Sequence, residues 1–516
     1  MPIRNLVVVF GDQLWLKSPA LEYAESKDDR VVMMEVAEEA TYIPQHKIRL
    51  VLFFSAMRHF REELAAHGFR TVYSELDDRE NRGHFAGELK RRIDDLKPEC
   101  LVCLEPGDWR VRETVRQVCQ ENGLEPKIVG DTHFLSSVDE FREFAENRKS
   151  LVMEYFYRHM RRKTGWLMKG GDPVSGQWNY DSDNRQSFGR SGPPEIKPPR
   201  RFQTDEITDA VITLVKKQFP DSPGSLDHFD YPVTRQQGLD ALHDFVEHRL
   251  AGFGPYQDAM ASGEPYLFHS RLSAAMNLHL IHPREVVEAV IDPVANKDVE
   301  LNSVEGFVRQ VIGWREFVRG IYWTQMPDYA QMNYLDADLP MPAFMWTGET
   351  EMNCLKQSVG QLIDHAYAHH IQRLMVLGLY AMLLGVKPYD VHRWHISMYA
   401  DAIDWVSLPN VLGMSQHGDG GIVGTKPYAA SGNYISKMSD YCAFCRYDPK
   451  KSEGEDACPM TVLYWDFLSR NRNRLKANRR MDFQFKNLDR KDDAERRAIR
   501  KQADAIKAKA ADQTYL

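Results

Sequence analysis

Apolar residues follow two rhythms along this chain. In the first third, short apolar-rich runs at Leu6–Phe10, Val31–Glu35, Thr71–Ser74, Cys100–Leu104 and Ile128–Val129 alternate with segments such as Ile48–His67, where apolar positions recur at helical spacing. The short runs predict buried strands and the longer period predicts amphipathic helices. Their alternation predicts a doubly wound parallel α/β sheet over residues 1–135. From 136 to 232 the rhythm weakens, and Gly170, Gly171, Pro173 and Gly176, followed by the proline-rich stretch 189–200, predict a long interdomain linker. Beyond Val233 the strand signal stops. Helical patterns over Arg235–Leu250, Pro283–Ile291, Val304–Trp323, Val359–Met382 and Lys387–Ile403 predict an all-α domain from 233 to 516, ending after Asp489 in a long exposed helix of mixed charge.

Composition bounds this picture. With 516 residues, 43% hydrophobic and 27% charged, the chain can bury several cores and is neither disordered nor collagen-like. No run reaches the roughly 18 apolar residues of a membrane span, and Leu6–Phe10 is too short for a secretory signal. A cytoplasmic protein without a membrane partner is expected. Seven cysteines, sparse and odd in number, fit a reducing compartment better than a disulfide scaffold. A net charge of -8 argues against general nucleic-acid binding, yet basic residues concentrate locally. Arg161, Arg162 and Lys163, then Arg185, interleave with Trp166, Trp178 and Tyr180, a composition suited to phosphates and to stacking on bases. The run from Arg470 to Arg480 reads as a second phosphate contact.

Candidate chemistry falls in three places. Ligands of open parallel sheets sit beyond the carboxyl ends of the strands, where Gly11, Asp12 and Gln13, Glu38 and Glu39, and Glu105 to Gly107 would converge. Cys442, Cys445 and Cys458, spaced C-x2-C-x12-C, join the distant Cys354 as four thiolates for zinc or an iron-sulfur cluster. One pair plus two singletons, with Pro459 after the last, fits the cluster better. Cys100 and Cys103 lie in an apolar strand and read as buried structural thiols. The third place combines Gln310 to Phe317, including Trp314 and Arg315, with His369 and His370, Trp394 and His395, Asp401 and Trp405, and Tyr428 and Tyr434. Imidazoles here suit proton transfer, while tryptophans serve either as core or as electron carriers.

Together these segments resemble the photolyase and cryptochrome superfamily, specifically its iron-sulfur bacterial cryptochromes and photolyases, which include the prokaryotic (6-4) photolyases. The run VVVFGDQL from Val7 resembles the start of that family's antenna domain, QVIGWREF from Gln310 its flavin-pocket helix, and the four cysteines its cluster ligands. The resemblance covers essentially the whole chain. It implies an antenna domain holding 6,7-dimethyl-8-ribityllumazine through Asp12, Gln13 and Glu39, a linker with a DNA-contacting loop, and a helical domain holding bent FAD. The implied FAD contacts are Ser270, Leu272, Ser273, Gln310, Arg315, Asp401 and Ser407. A 4Fe-4S cluster is implied on Cys354, Cys442, Cys445 and Cys458. His370 and His369 are the implied proton-transfer residues, with Tyr428 and Tyr434 against the lesion. Trp394 and Trp346 form the electron route, with His395 at its terminal hop. Two departures stand out: Ser407 replaces a residue that is often acidic, and His395 one that is often Tyr. The implied activity is light-driven repair of (6-4) pyrimidine-pyrimidone photoproducts by a monomer acting on UV-damaged DNA. A blue-light receptor of the same fold, or a non-photochemical DNA-processing enzyme with a structural cluster, are the rival readings.

Overall fold

A computed structural model describes residues 2–24, 27–295 and 299–512. All five expected strands form: β1 (Asn5–Val8), β2 (Arg30–Met34), β3 (Thr71–Ser74), β4 (Cys100–Leu104) and β5 (Pro126–Val129). They pair in parallel in the order β3-β2-β1-β4-β5, with Val7 beside Val31 on one side and Val102 on the other. Period-two alternation divides their side chains between two faces. Val7, Val31, Met33 and Val102 pack towards the helix Lys47–Ala66, whereas Leu6, Val8, Val32 and Cys103 pack with the helices Phe85–Leu96 and Trp109–Glu121. Burial pushes the Cys103 thiol up to about 12 and the Cys119 thiol up to about 11, as expected of inert core cysteines.

Residues 136–232 are more ordered than a linker. They form the helices Val138–Ala145, Met153–Thr164 and Glu206–Gln218 and a two-stranded turn pairing Met168–Lys169 with Asp172–Pro173. Phe141 and Tyr157 are buried, and the Phe141 ring lies 5.7 Å from that of Phe317, so this segment shares the helical core. The C-terminal helix Asp493–Ala511 is not free in solvent along its length. Ile499, Ala503, Ile506 and Ala510 form a buried stripe at helical spacing, and the helix packs on Pro459–Leu475. Among the described residues, no helix is long and apolar enough to cross a membrane.

Beyond residue 233 the fold is helical, with one informative break. The pattern over Val359–Met382 predicts a single helix, but Asn353–His365 ends at Ala366, whose φ of 49° is left-handed, and the helix restarts at His370. A left-handed Ala is sterically unfavourable and must be held by its surroundings. Three π-helical turns interrupt other helices at Arg309–Arg315, Arg373–Gly378 and Pro409–Ser415. Each inserts one extra residue per turn and turns new side chains inward, which is where such turns concentrate in functional sites.

The sheet and the helical region meet at a histidine cluster. The His133 ring stacks on His279 at 3.8 Å, and its Nε2 lies 3.1 Å from the Ile281 carbonyl. Burial lowers the His279 pKa to about 4, despite Asp131 nearby. Between about 6.5, its ordinary value, and 4, the unfolded state therefore binds more protons, and stability falls as pH falls. Each unit of pH costs about 1.4 kcal/mol for one such group. His279→Asn is expected to shrink the difference in unfolding free energy between pH 7 and pH 5 by ~2 kcal/mol, measured by denaturant titration at both values. Asn tolerates the left-handed backbone at this position, where φ is 63°. An unchanged difference would place the His279 pKa near its ordinary value.

Candidate active site

The three π-helical turns and the break at Ala366 surround one cavity of about 940 Å³ in the helical region. One wall is an ionic network. Arg373 reaches both oxygens of Asp401, at 3.0 and 3.1 Å, and the Ser273 hydroxyl donates to Asp401 Oδ2 at 2.6 Å. Burial works to raise the Asp401 pKa, but the Arg373 charge and the hydrogen bonds from Arg373 and Ser273 outweigh it, and the carboxylate stays ionised. Arg373 also lies 4.2 Å over the Tyr399 ring. Arg315 lines the same cavity, donating to Asn277 Oδ1 at 3.0 Å and to the Met276 carbonyl at 3.3 Å. Burial lowers its pKa to about 10.

Of the residues expected to contact FAD, Ser270, Ser273, Gln310, Arg315, Asp401 and Ser407 line the cavity. Leu272 does not. Its side chain is fully buried in the core and its amide donates to Ser270 Oγ at 3.3 Å. The fit to a large polar cofactor rests on unpaired buried atoms at the wall: Arg315 Nε, His269 Nε2 and both ring nitrogens of His369 have no protein partner. Buried polar groups of this kind are normally satisfied, and a ligand carrying acceptors and donors would satisfy them.

His369 and His370 sit at the helix break. His369 is buried and stacks on His269 at 4.3 Å, and burial with the neighbouring His269 lowers its pKa well below the usual range. The His370 ring is exposed to the cavity. The enclosing walls and then the Arg373 charge nevertheless lower its pKa to about 4, so it is neutral at pH 7 without a ligand. Tyr428 and Tyr434 line the same space.

His395, expected at the terminal hop of an aromatic route, lines the cavity. It stacks on Tyr399 at 4.3 Å and meets Trp394 edge-on at 5.6 Å. Trp394 is buried and donates from Nε1 to the Met345 carbonyl at 3.0 Å, which brings it against the segment that carries the half-buried Trp346.

Cys354, Cys442, Cys445 and Cys458 line one small pocket. Its wall includes Gly432, where an added Cβ would lie 2.9 Å from Cys458 Sγ. Among the described residues, no three His, Cys, Asp or Glu side chains converge closely enough to hold a single metal ion. Four thiols around one pocket suit zinc or an iron-sulfur cluster. Burial, then the neighbouring thiols, push Cys354 and Cys442 up, Cys442 to about 12, and burial pushes Cys458 up, so thiolates at these three positions require a compensating cation.

A second cavity of about 130 Å³ lies beyond the carboxyl ends of β1, β2 and β4, lined by Asp12, Glu39, Arg49, Phe53, Gly107 and Asp108. Burial raises the Asp12 pKa to about 7, while Glu39 pairs with Arg110 at 2.8 Å. Flat aromatic walls with carboxylates suit a heterocycle bearing hydrogen-bond donors. Gln13 stands apart from this cavity: its Nε2 donates to the Glu105 carbonyl at 2.9 Å, bracing one strand end against another.

The basic cluster divides in the same way. Arg161 is 1% exposed and donates to the carbonyls of Trp166, Leu167 and Trp178, so it staples the loop and cannot reach DNA. Lys163 is paired with Glu140 and the Leu135 carbonyl. Arg162 is exposed over Trp178, and Arg185 is exposed at the cavity mouth. From the C-terminal run, Arg470, Arg472 and Arg474 are engaged with Asp466, Asp489 and Asp336, while Arg480 joins Arg185 at the mouth. Sequence reasoning missed Arg373 and Asn277. Arg373 carried a usable signal, being the one charge in the apolar run from Ile371 to Leu384, since such a charge needs a buried partner.

A parallel sheet capped by one small cavity and joined to a helical body with a large one defines the photolyase fold. It is shared with a class III photolyase from Agrobacterium tumefaciens, at a TM-score of 0.55, 15% identity and coverage of 92% of this chain and 98% of that one. An archaeal photolyase from Sulfolobus tokodaii, solved with two FAD molecules, matches at a TM-score of 0.53 and 17% identity over 84% of this chain and 87% of its own. The family model for Deoxyribodipyrimidine photo-lyase-related protein matches residues 7–231. A (6-4) photolyase of Agrobacterium fabrum is 50% identical over 481 residues, which is 93% of this chain and 94% of that protein. The chain belongs to the (6-4) photolyase family.

Proposed function

We propose that this protein repairs (6-4) pyrimidine-pyrimidone photoproducts in UV-damaged DNA under light. One observation carries the reading: a single cavity has the Arg315, Asp401 and Ser407 wall suited to a flavin, the His370, Tyr428 and Tyr434 groups suited to a lesion, and the exposed arginines Arg185 and Arg480 at its mouth. When bound, reduced FAD supplies an excited-state electron that the lesion returns, so the overall chemistry is redox-neutral. The protein residues do the rest. Arg373 and Asp401 fix the polar wall, Arg315 adds positive charge beside it, and Arg185 and Arg480 neutralise phosphates at the entrance. A flipped-out lesion costs a few kcal/mol of stacking, less where stacking is already broken. His370 is the proton donor for the hydroxyl-group transfer this lesion requires, with His369 behind it and Tyr428 and Tyr434 offering hydroxyl donors.

The four cysteines would hold an iron-sulfur cluster, Asp12 and Glu39 would hold a lumazine antenna in the cavity at the sheet edge, and Trp346, Trp394 and His395 would supply an aromatic path toward the flavin site. The test is illumination of the purified protein with oligonucleotides carrying either a (6-4) or a cyclobutane lesion. Light-dependent restoration of the (6-4) oligonucleotide is expected. Restoration of only the cyclobutane lesion, or equal binding of damaged and intact DNA with no repair, would overturn the reading in favour of another lesion or of a receptor.

A further inference from the structure

The cysteine lobe reaches the histidine pair through two side chains to which the repair reading gives no role. Tyr441, immediately before Cys442, is 1% exposed, and its hydroxyl accepts from Gln372 Nε2 at 3.1 Å. Its carbonyl accepts from Asn353 Nδ2 at 2.9 Å, and Asn353 immediately precedes Cys354. Tyr441 is thus tied to both arms of the four-thiol pocket. Gln372 is fully buried and its Oε1 accepts the His369 backbone N–H at 3.0 Å. The two amides Gln372 and Gln361 pair reciprocally at 2.8 and 3.1 Å, and Gln361 also donates to the Tyr367 carbonyl at 3.0 Å.

These bonds span the helix break. After the Ala366 N–H, which still donates to the Leu362 carbonyl, the chain leaves the helical hydrogen-bond ladder through a left-handed Ala, so the shape of the segment up to His369 depends on what receives its free backbone groups. Gln372 receives the His369 N–H and Gln361 the Tyr367 carbonyl, while the Ala366 and Ala368 carbonyls accept from the Ala400 amide and Arg373 Nε; Tyr441 supplies the remaining acceptor that orients the Gln372 amide. A buried primary amide with both donors and its oxygen engaged has one orientation available.

We propose that Tyr441 and Gln372 are positioning residues that set the orientation of the His369–His370 segment from the cysteine lobe, so that assembly of the four-thiol site is relayed to the proton-transfer histidines. This rests on the repair reading above. It gives the lobe a part in the chemistry in addition to holding the fold.

The test uses the holoprotein carrying Tyr441→Phe, Gln372→Leu or Gln372→Glu. Three quantities are read: flavin and cluster absorbance, amide exchange of residues 366–372 by mass spectrometry, and kcat and KM for a (6-4) oligonucleotide. Tyr441→Phe keeps its ring packing and is expected to retain both chromophores and an unchanged KM. Exchange in 366–372 should rise about tenfold and kcat should fall about five- to tenfold, the scale of one lost internal hydrogen bond. Gln372→Glu keeps an oxygen for the His369 N–H and should recover part of the kcat lost in Gln372→Leu. If Gln372→Leu does not fold, Tyr441→Phe decides alone. Unchanged exchange and kcat in Tyr441→Phe, or a kcat that falls only in proportion to lost flavin, would overturn the proposal. If the unsubstituted protein repairs no (6-4) lesion, the repair reading fails, while the exchange result still judges the relay.

Discussion

Cys442→Ser is expected to give protein that is mostly insoluble or, where soluble, free of flavin. The four thiols sit at the junction of three segments: the helix Asn353–His365 carries Cys354, the turn Tyr441–Phe444 carries Cys442, and the helix Pro459–Leu475 starts directly after Cys458. The intervening stretch from Arg446 to Glu455 has little buried apolar surface to order it. Where a group bound to thiolates orders a lobe, its binding free energy is folding free energy, about 10–16 kcal/mol for structural zinc in small peptides. Whole-protein stability is only about 5–15 kcal/mol. Losing even part of the former therefore competes with all of the latter. The consequence reaches the flavin because Pro459–Leu475 packs on the helix Leu379–Leu384, which continues the π-helical turn Arg373–Gly378 of the cavity wall. Soluble fraction and visible absorbance check this directly. A soluble, flavin-loaded and fully active variant would show that the lobe folds without its fourth ligand.

His370→Ala should lower light-driven repair of the (6-4) lesion by about 10²–10⁴, the usual range for removing a positioned acid, while leaving flavin content intact. Flavin retention follows from geometry, because the Arg373, Asp401 and Ser273 network does not involve the His370 ring. The pH profile carries the sign. With the His370 pKa lowered to about 4 by the enclosing walls and Arg373, the acid form is scarce at pH 7 until phosphate charge enters the cavity. Repair by the unsubstituted protein should therefore rise as pH falls from 8 to 6, and His370→Ala should lose that dependence. Single-turnover repair at several pH values measures both. Equal rates for the two proteins would remove His370 from the chemistry and leave Tyr428 and Tyr434 as the remaining donors.

What was legible in the sequence follows the range of the interactions. Alternation along Val7 to Val9 and the continuous run Cys100–Leu104 are local signals, and the parallel sheet they predict is present with its site at the strand ends. The local spacing of Cys442, Cys445 and Cys458 was legible too, and the structure brings them together with the distant Cys354 around one pocket. The charged and polar residues were less so. Arg161, Arg162 and Lys163 are consecutive and chemically alike, yet one staples carbonyls, one is exposed over Trp178 and one pairs with Glu140. Successive positions of a helix point about 100° apart, so neighbours in sequence meet different surroundings.

The sequence by itself determined the class of each region and the chemical inventory, because periodicity, glycine and proline placement and thiol spacing act over a few residues. Only the tertiary structure decided which members of that inventory share a cavity. Gln13 and Leu272 lie within two residues of cavity-lining side chains but face elsewhere, and His395 lines the cavity. Arg373 and Asp401, 28 positions apart, make a bidentate pair. The helix break at Ala366 and the three π-helical turns left no periodic trace, since each depends on buried hydrogen bonds between distant segments, such as Gln372 with Tyr441. Such bonds are strong only where burial excludes water, and burial is a property of the assembled fold.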